Sequence, residues 1–359
     1  MTTKTRFIAL TLLLLTVLAM QSALQGGDDC LRYEVARVAT PPSNVEGLPW
    51  EYNTLFTGSG RCGGCHAFDP SGQTNVDTNG VDVNLTDRWR TSMMANSSKD
   101  PFWRAKVSHE TQVNPSHRAI LEDKCTSCHA PLGHFNAKHE GRMFTMDSLV
   151  VDSLALDGVS CLACHQQDTN FVGKVFSGEL AYDSNRVVYG PYETPYGAPM
   201  NFLVGFPPEF FAPVSQSENC AGCHTLITET VDLNGNPTGG EFVEQATYHE
   251  WLNSAYSLPN ERQDCQSCHM RKIEQPVKLA MDYFWLPGRE PFLVHTFQGA
   301  NSFMLKILKE YSDTLGIFPK PALFDSTIAM TEKMLREQTL DLSLAAGERD
   351  LDSARFTAT

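Results

Sequence analysis

Basic residues are scarce in this chain of 359 residues: 28 lysines and arginines stand against 42 aspartates and glutamates, for a formal net charge of −14. The longest basic run is the pair Arg271 and Lys272. Nucleic-acid binding depends on clustered lysines and arginines that displace counterions from phosphates. The sequence therefore excludes nucleic acid as a partner, and any docking partner is expected to carry a basic surface.

Long hydrophobic runs are also scarce. The main one covers residues 7–20, after Lys4 and Arg6 and before a small and polar stretch. It is shorter than the roughly 20 residues that a membrane-spanning helix needs. The order of positive, apolar and small residues is typical of a secretory signal peptide. We therefore predict a signal peptide at residues 1–26. The exported protein would be periplasmic, outer-membrane-associated or extracellular, and would not span the membrane after signal removal.

Cysteines free to form disulfides are nearly absent, because only Cys30 of the eleven cysteines lies outside one repeated pattern, Cys-x-x-Cys-His. This pattern occurs five times. The copies are motif 1 (Cys62, Cys65, His66), motif 2 (Cys125, Cys128, His129), motif 3 (Cys161, Cys164, His165), motif 4 (Cys220, Cys223, His224) and motif 5 (Cys265, Cys268, His269). A disulfide framework is thereby excluded.

The spacing within each motif predicts covalent attachment of a c-type haem. Two thiols three positions apart lie on one face of a helical turn and can form thioethers with the two vinyl groups of one porphyrin. The adjacent histidine is then the proximal iron ligand. Structural zinc would need two pairs of ligands that share one ion, whereas here each cysteine pair has its own histidine. We therefore predict five haem c groups.

The five motifs follow no fixed period, and the 208 residues from Cys62 to His269 leave about 42 per haem. We therefore predict a mainly α fold, with long irregular loops wrapped around haems that form most of the core, over residues 27–300. Residues 189–213 contain six prolines and seven aromatics, which excludes a helix or a central strand. Residues 225–231 and 241–245 are predicted to form a hairpin.

Residues 301–359 are predicted to be a helical segment that leads into an incomplete β segment. The expected helices cover residues 301–311 and 325–338, the second capped by Asp325 or Ser326. Alternating leucines from Leu340 to Leu344 indicate a strand, residues 346–350 a turn, and residues 351–359 the start of another strand. Two strands alone are unstable. We therefore expect either that the chain is a fragment or that a partner supplies the rest of the sheet.

With these motifs, four further segments resemble the multihaem cytochrome c family, which includes periplasmic electron carriers, pentahaem nitrite reductases and octahaem reductases. The segments are residues 87–96, 157–161, 244–251 and 295–301. In such relatives a His-x-Phe-x-Gly element supplies a distal haem ligand, which implies that role for His295. The nitrite reductases carry Cys-x-x-Cys-Lys at the catalytic haem, and this sequence has no such motif.

Six histidines remain as candidates for the distal face of the irons, together with two methionines, since haem iron takes histidine or methionine axially. They are His295, His109, His117, His134, His249 and His139, with Met93 and Met94. Between Glu140 and Tyr248 the only histidines are His165 and His224, which belong to the motifs. Haems three and four therefore take distant ligands, take methionine or stay open. His134 and His139 follow His129 too closely to serve haem two.

The sequence favours an electron carrier with two axial ligands on each iron over an enzyme. The alternatives are a reductase with one open haem that acts on a small nitrogen or sulfur oxyanion, and a subunit of a larger respiratory complex or an extracellular cytochrome filament. Residues 75–82 resemble the first half of a calcium loop, but Thr86 stands where a glutamate is needed. A solvated turn is thus favoured there over calcium.

Overall fold

The computed structural model describes residues 45–232, 234–318 and 321–339, and the backbone alone of residues 344–350 and 353–358. The predicted signal peptide and Cys30 lie outside the described residues. The described part is mostly helical with loops and small sheets, as predicted. Among the described residues, no helix is long and apolar enough to cross a membrane.

Twelve helices, half of them shorter than two turns, run through the described ranges. They are α1 (Ser59–His66), α2 (Leu85–Arg90), α3 (Pro101–Val113), α4 (Arg118–His129), α5 (Pro131–His139), α6 (Met146–Leu149), α7 (Cys161–His165), α8 (Thr247–Leu252), α9 (Cys265–His269), α10 (Ser302–Glu310), α11 (Ser312–Leu315) and α12 (Pro321–Glu337). Single 3-10 or π turns connect several of them. The longer helices follow ordinary cap chemistry: α3 begins at Pro101, after an Asp100 carboxylate that accepts the N–H groups of Phe102 and Trp103.

The strands pair only two at a time in the described chain. They are β1 (Val188–Gly190) with β2 (Pro208–Phe210), β3 (Leu226–Val231) with β4 (Pro237–Gln245), β5 (Lys272–Ile273) with β6 (Phe292–Leu293), and β7 (Leu344–Asp350) with β8 (Ser353–Ala358). The first pair is parallel and the others are antiparallel. The hairpin predicted after motif 4 is confirmed as β3–β4, where the Asp232 carboxylate accepts the N–H groups of Asn234 and Asn236 in the turn.

Residues 189–213 form neither an α-helix nor a central strand, as predicted. The short strands β1 and β2 occur at its two ends, and Met200–Val204 forms one π-helical turn between them. Gly205 ends that turn with a φ of 72°, a conformation that suits glycine. The proline-rich segment is therefore largely irregular backbone.

Two predictions near the C-terminus are wrong. Helix α12 begins at Pro321 rather than at an Asp325 or Ser326 cap, because proline at a first helical position already has the required φ. The turn predicted at residues 346–350 belongs to strand β7, where the register shifts between Ala346 and Arg349 and accommodates Gly347 at an irregularity. Leu340 and Leu342 lie outside the described residues.

Buried apolar side chains form four separate clusters in the described part of the chain, each built from few elements. The largest joins Leu55 and Phe56 to Leu132, Phe135 and Phe206. The helices α10 and α12 form another, around Leu308 and Phe324. Three of the four clusters contribute side chains to the wall of one large cavity, among them Leu162, Trp103 and Phe292.

Candidate haem-binding cavity

All five motifs line one cavity of about 2630 Å³. A site for a single drug-sized ligand is roughly 300–1,000 Å³, so this cavity is large enough for several big planar groups. Every motif cysteine and histidine except the exposed Cys268 contributes to its lining. The fold therefore brings together motifs that are 36 to 63 residues apart in sequence.

Four of the five motifs end a helix, as the spacing predicts. Motifs 1 and 2 occupy the last turns of α1 and α4, and motifs 3 and 5 coincide with α7 and α9. Motif 4 is instead a single turn, in which the backbone N–H of His224 donates to the carbonyl of Cys220 at 3.0 Å. Each cysteine pair therefore lies on one face of a helical turn.

The motif histidines are oriented by backbone carbonyls. The Nδ1 atoms of four of them lie within hydrogen-bonding distance of a carbonyl oxygen: His66 to Leu279 (2.7 Å), His165 to Tyr189 (2.7 Å), His269 to Gln298 (2.7 Å) and His129 to Ser97 (3.3 Å). A protonated Nδ1 that donates to a carbonyl leaves the Nε2 lone pair free for a metal, which is the usual support for a ligating histidine. Burial also lowers the pKa of His66 and His165, which favours the neutral ligand form.

Neighbouring motifs are placed side by side. The thiol of Cys161 interacts with that of Cys62, and the thiol of Cys220 with that of Cys265. A third contact joins Cys223 to Cys128. Motif 1 is thereby next to motif 3, while motifs 2 and 5 are both next to motif 4.

Two aspartates hold such pairs together. The Asp157 carboxylate accepts hydrogen bonds from Ser59 at the start of α1 and from Ser160 just before α7. The Asp264 carboxylate, next to motif 5, accepts from the backbone N–H and the hydroxyl of Ser217 just before motif 4. Sequence reasoning missed both residues. The available signal was an aspartate directly before Cys265 and another four residues before Cys161.

His295 lies beside His165, the histidine of motif 3. Its ring is nearly parallel to that of His165, with ring centroids 6.2 Å apart and planes 14° apart. With metal–imidazole nitrogen bonds of about 2 Å, two imidazoles on opposite faces of one iron have centroids about 6 Å apart. The Nδ1 atom of His295 lies 2.9 Å from the Leu293 carbonyl, and burial lowers the pKa of His295 to about 3. The residues present at motif 3 therefore fit a haem iron with two histidine ligands.

Two further candidate histidines line the cavity. His134 is only 4 % exposed, and its Nδ1 atom lies 3.4 Å from the Thr126 hydroxyl and 3.6 Å from an Asp123 carboxylate oxygen. His117 lies in a 3-10 turn before α4, with its ring against Gly235 at the tip of the β3–β4 hairpin. Met93 and Met94 also line the cavity. The ring of His295 is stacked on a motif histidine, whereas in the described structure the rings of His117 and His134 are not.

The other three candidates do not line the cavity. The side chain of His109 is 69 % exposed and has its Nδ1 atom 3.6 Å from Glu110. His139 is exposed at the end of α5. His249 packs its ring against Phe176 at a centroid distance of 5.0 Å.

The rest of the lining suits haem as well. Most of the wall is apolar, and cationic and phenolic side chains are distributed around it. Those side chains include Arg61, Lys272, Lys278, Arg289, Tyr189 and Tyr192. Cations and hydroxyls of this kind can bind propionate carboxylates. One aromatic contact was not predicted: Trp103 stacks on His129 with centroids 4.6 Å apart and planes 8° apart.

The segment that resembles a calcium loop is a hydrogen-bonded turn. An Asp77 carboxylate oxygen accepts the backbone N–H groups of Asn79 and Val81. Across the described residues, no group of three histidine, cysteine or acidic side chains is arranged to hold a metal ion.

The chain was compared with protein families, curated proteins and solved structures. No protein-family model matches the chain, and no curated protein matches it. Among solved structures, it is similar to a penta-heme cytochrome c552 from Thermochromatium tepidum, with 20 % identity and a TM-score of 0.38. The match covers 63 % of this chain and 56 % of the length of that one.

Proposed function

We propose that this chain is an exported pentahaem c-type cytochrome that carries electrons between redox partners. The observation that supports this best is the convergence of five Cys-x-x-Cys-His motifs on one cavity, with thiols of neighbouring motifs close enough to affect one another's pKa. Bound haem would supply one-electron chemistry between ferric and ferrous iron. The export part of the proposal comes from the signal-like pattern at residues 1–26.

The protein's own residues have three tasks in this proposal. The cysteines attach each porphyrin, the motif histidines bind iron through Nε2, and the backbone carbonyls hold those histidines in one orientation. At motif 3, His295 would occupy the sixth position and exclude substrate. Such a site transfers electrons without binding the molecule that is reduced.

The contacts between thiols also suggest a route for electrons. Motif 1 adjoins motif 3, and Cys164 of motif 3 lies close enough to Cys220 and Cys223 of motif 4 to affect the pKa of both thiols. Motif 4 in turn adjoins motifs 2 and 5. We infer a route from motif 1 through motif 3 to motif 4, with two branches from there. The chain's charge of −14 favours basic partners at its ends.

A reductase is the second candidate. It is supported by the number of histidines at the cavity, which is too small to give every iron a second histidine ligand. Outside the motifs, three histidines line the cavity for five irons: His117, His134 and His295. All eleven histidines of the chain lie within the described residues. Two irons would therefore take methionine, such as Met93 or Met94, or leave a position open for a small oxyanion.

Mass spectrometry and EPR spectroscopy of the purified oxidised holoprotein test both candidates. The carrier proposal expects five covalently attached haems, low-spin ferric signals that nitrite and hydroxylamine leave unchanged, and association with basic redox partners that weakens with salt. A high-spin ferric signal that shifts when either molecule is added would establish the reductase instead. Fewer than five attached haems would contradict the pentahaem proposal.

A further inference from the structure

A buried carboxylate lies between motifs 1 and 3. Asp157 is 4 % exposed and ends the 3-10 turn Ala155–Asp157, just before motif 3. Its two oxygens accept the Ser59 N–H at 3.0 Å, the Ser59 hydroxyl at 2.8 Å and the Ser160 hydroxyl at 2.6 Å. Because Ser59 begins α1 and Ser160 directly precedes α7, this one carboxylate is tied to both attachment helices.

All three of these donors are neutral. Within the described chain, Asp157 has no ion pair at contact distance, although Lys99 and Arg90 are close enough to interact with it electrostatically. Arg90 instead makes an ion pair with Asp87 at 3.6 Å and donates to the carbonyls of Glu46 and Phe318. The negative charge of Asp157 is therefore only partly compensated.

The other charged and titratable neighbours are few. On α7 the Cys161 thiol interacts electrostatically with Asp157. As a thioether, Cys161 would have no proton to lose. Arg104, on α3, faces Lys99 rather than Asp157. Burial raises the pKa of Asp157 and outweighs the opposing effects of its hydrogen bonds and of Lys99. Ionisation of Asp157 is therefore sensitive to any further charge placed nearby.

Asp264 is a natural comparison, because it ties motifs 4 and 5 in the same way through Ser217. It differs in having an ion pair, with Arg262 at 2.8 Å. Burial acts to raise the pKa of Asp264, but Arg262 and the Ser217 hydrogen bonds outweigh it and lower that pKa. Asp264 is therefore held in its carboxylate form more strongly than Asp157.

On the basis of the proposed function, we propose that Asp157 takes up a proton when the haems attached at motifs 1 and 3 are reduced. With haem bound at these motifs, the redox partner would supply the electron that reduces ferric to ferrous iron, and one positive charge would be lost beside the two attachment helices that the carboxylate joins. A proton from water then converts the Asp157 carboxylate to the carboxylic acid. Oxidation releases both the electron and the proton. The haems at motifs 1 and 3 would thus couple electron transfer to proton transfer, whereas the haems at motifs 4 and 5 would transfer electrons alone.

Redox titration of the holoprotein, followed by its visible spectrum at a series of pH values, tests this proposal. In the wild type, the potentials of two haems fall as the pH rises between the pKa of Asp157 in the oxidised and in the reduced protein. Asp157→Asn keeps acceptor and donor atoms for both serines and removes this pH dependence. Asp264→Asn, the matched control, retains it. The redox-induced infrared difference spectrum should show a protonated carboxyl band on reduction, absent only in Asp157→Asn.

A second variant covers the case in which Asp157→Asn does not fold. Lys99→Met removes a positive charge that favours the Asp157 carboxylate, so the pH dependence shifts to higher pH. An unchanged pH profile in either variant, with five haems attached, overturns the coupling and leaves the carrier function intact. A wild-type protein with fewer haems, or without reversible reduction, overturns both proposals.

Discussion

Replacing His295 is the most direct test of the ligand geometry. The parallel rings of His165 and His295, 6.2 Å apart, match two axial ligands of one iron. His295→Ala therefore removes the sixth ligand of the motif 3 haem and of no other. That haem is one of five, so about one fifth of the ferric iron should change from low spin to high spin while all five haems stay attached.

Quantitative EPR of the oxidised holoprotein, with the haem content measured on the same sample, gives that fraction. His249→Ala is the matched control, because its ring packs on Phe176 outside the cavity, and it should leave the spin state unchanged. His295→Met should restore a low-spin iron and raise the potential of one haem, since methionine as an axial ligand raises haem potentials. An unchanged spin state in His295→Ala, or a change at more than one haem, would refute the assignment.

Three further predictions concern stability and ligand orientation. Trp103→Leu removes the ring stacked on His129, so the EPR signal of one haem should shift, whereas Trp103→Phe should preserve it; identical spectra in both variants would contradict this. Gly158→Ala places a Cβ atom 2.4 Å from a backbone oxygen at a φ of +67° and should lower the free energy of unfolding by about 2–5 kcal/mol, against about 1 kcal/mol for Gly72→Ala, whose Cβ atom meets nothing; equal losses in urea unfolding would refute the clash. Burial acts to raise the pKa of Asp69, but hydrogen bonds from Ser71 and Thr74 outweigh it and lower that pKa to about 2. Asp69→Asn should thus cost about 2 kcal/mol at neutral pH, and the difference from wild type should narrow as the pH falls from 3.8 through about 2; a difference independent of pH would argue against it.

Local pattern was enough to predict those features that depend on neighbours in sequence. The hairpin at β3–β4 needed only alternation and an Asp232 turn, and the helix predicted over residues 301–311 forms at Ser302–Glu310. Prediction failed where the chain offered competing local signals. The glycine at position 347 is typical of a turn, yet an irregularity within strand β7 accommodates it, and Pro321 begins a helix one turn before the expected cap.

The sequence by itself predicts where haem would be attached, because thioether formation and the proximal ligand depend on five adjacent residues. Only the tertiary structure decided which motifs are neighbours and which distant groups lie beside them. Cys62 meets Cys161, and His165 faces His295, across loops that have no periodicity to reveal their course. The same holds for the ionisation of the two aspartates that tie the motifs together. Asp264 is paired with Arg262 and Asp157 lacks such a partner in the described chain, a difference set by burial and folding rather than by either residue's neighbours in sequence.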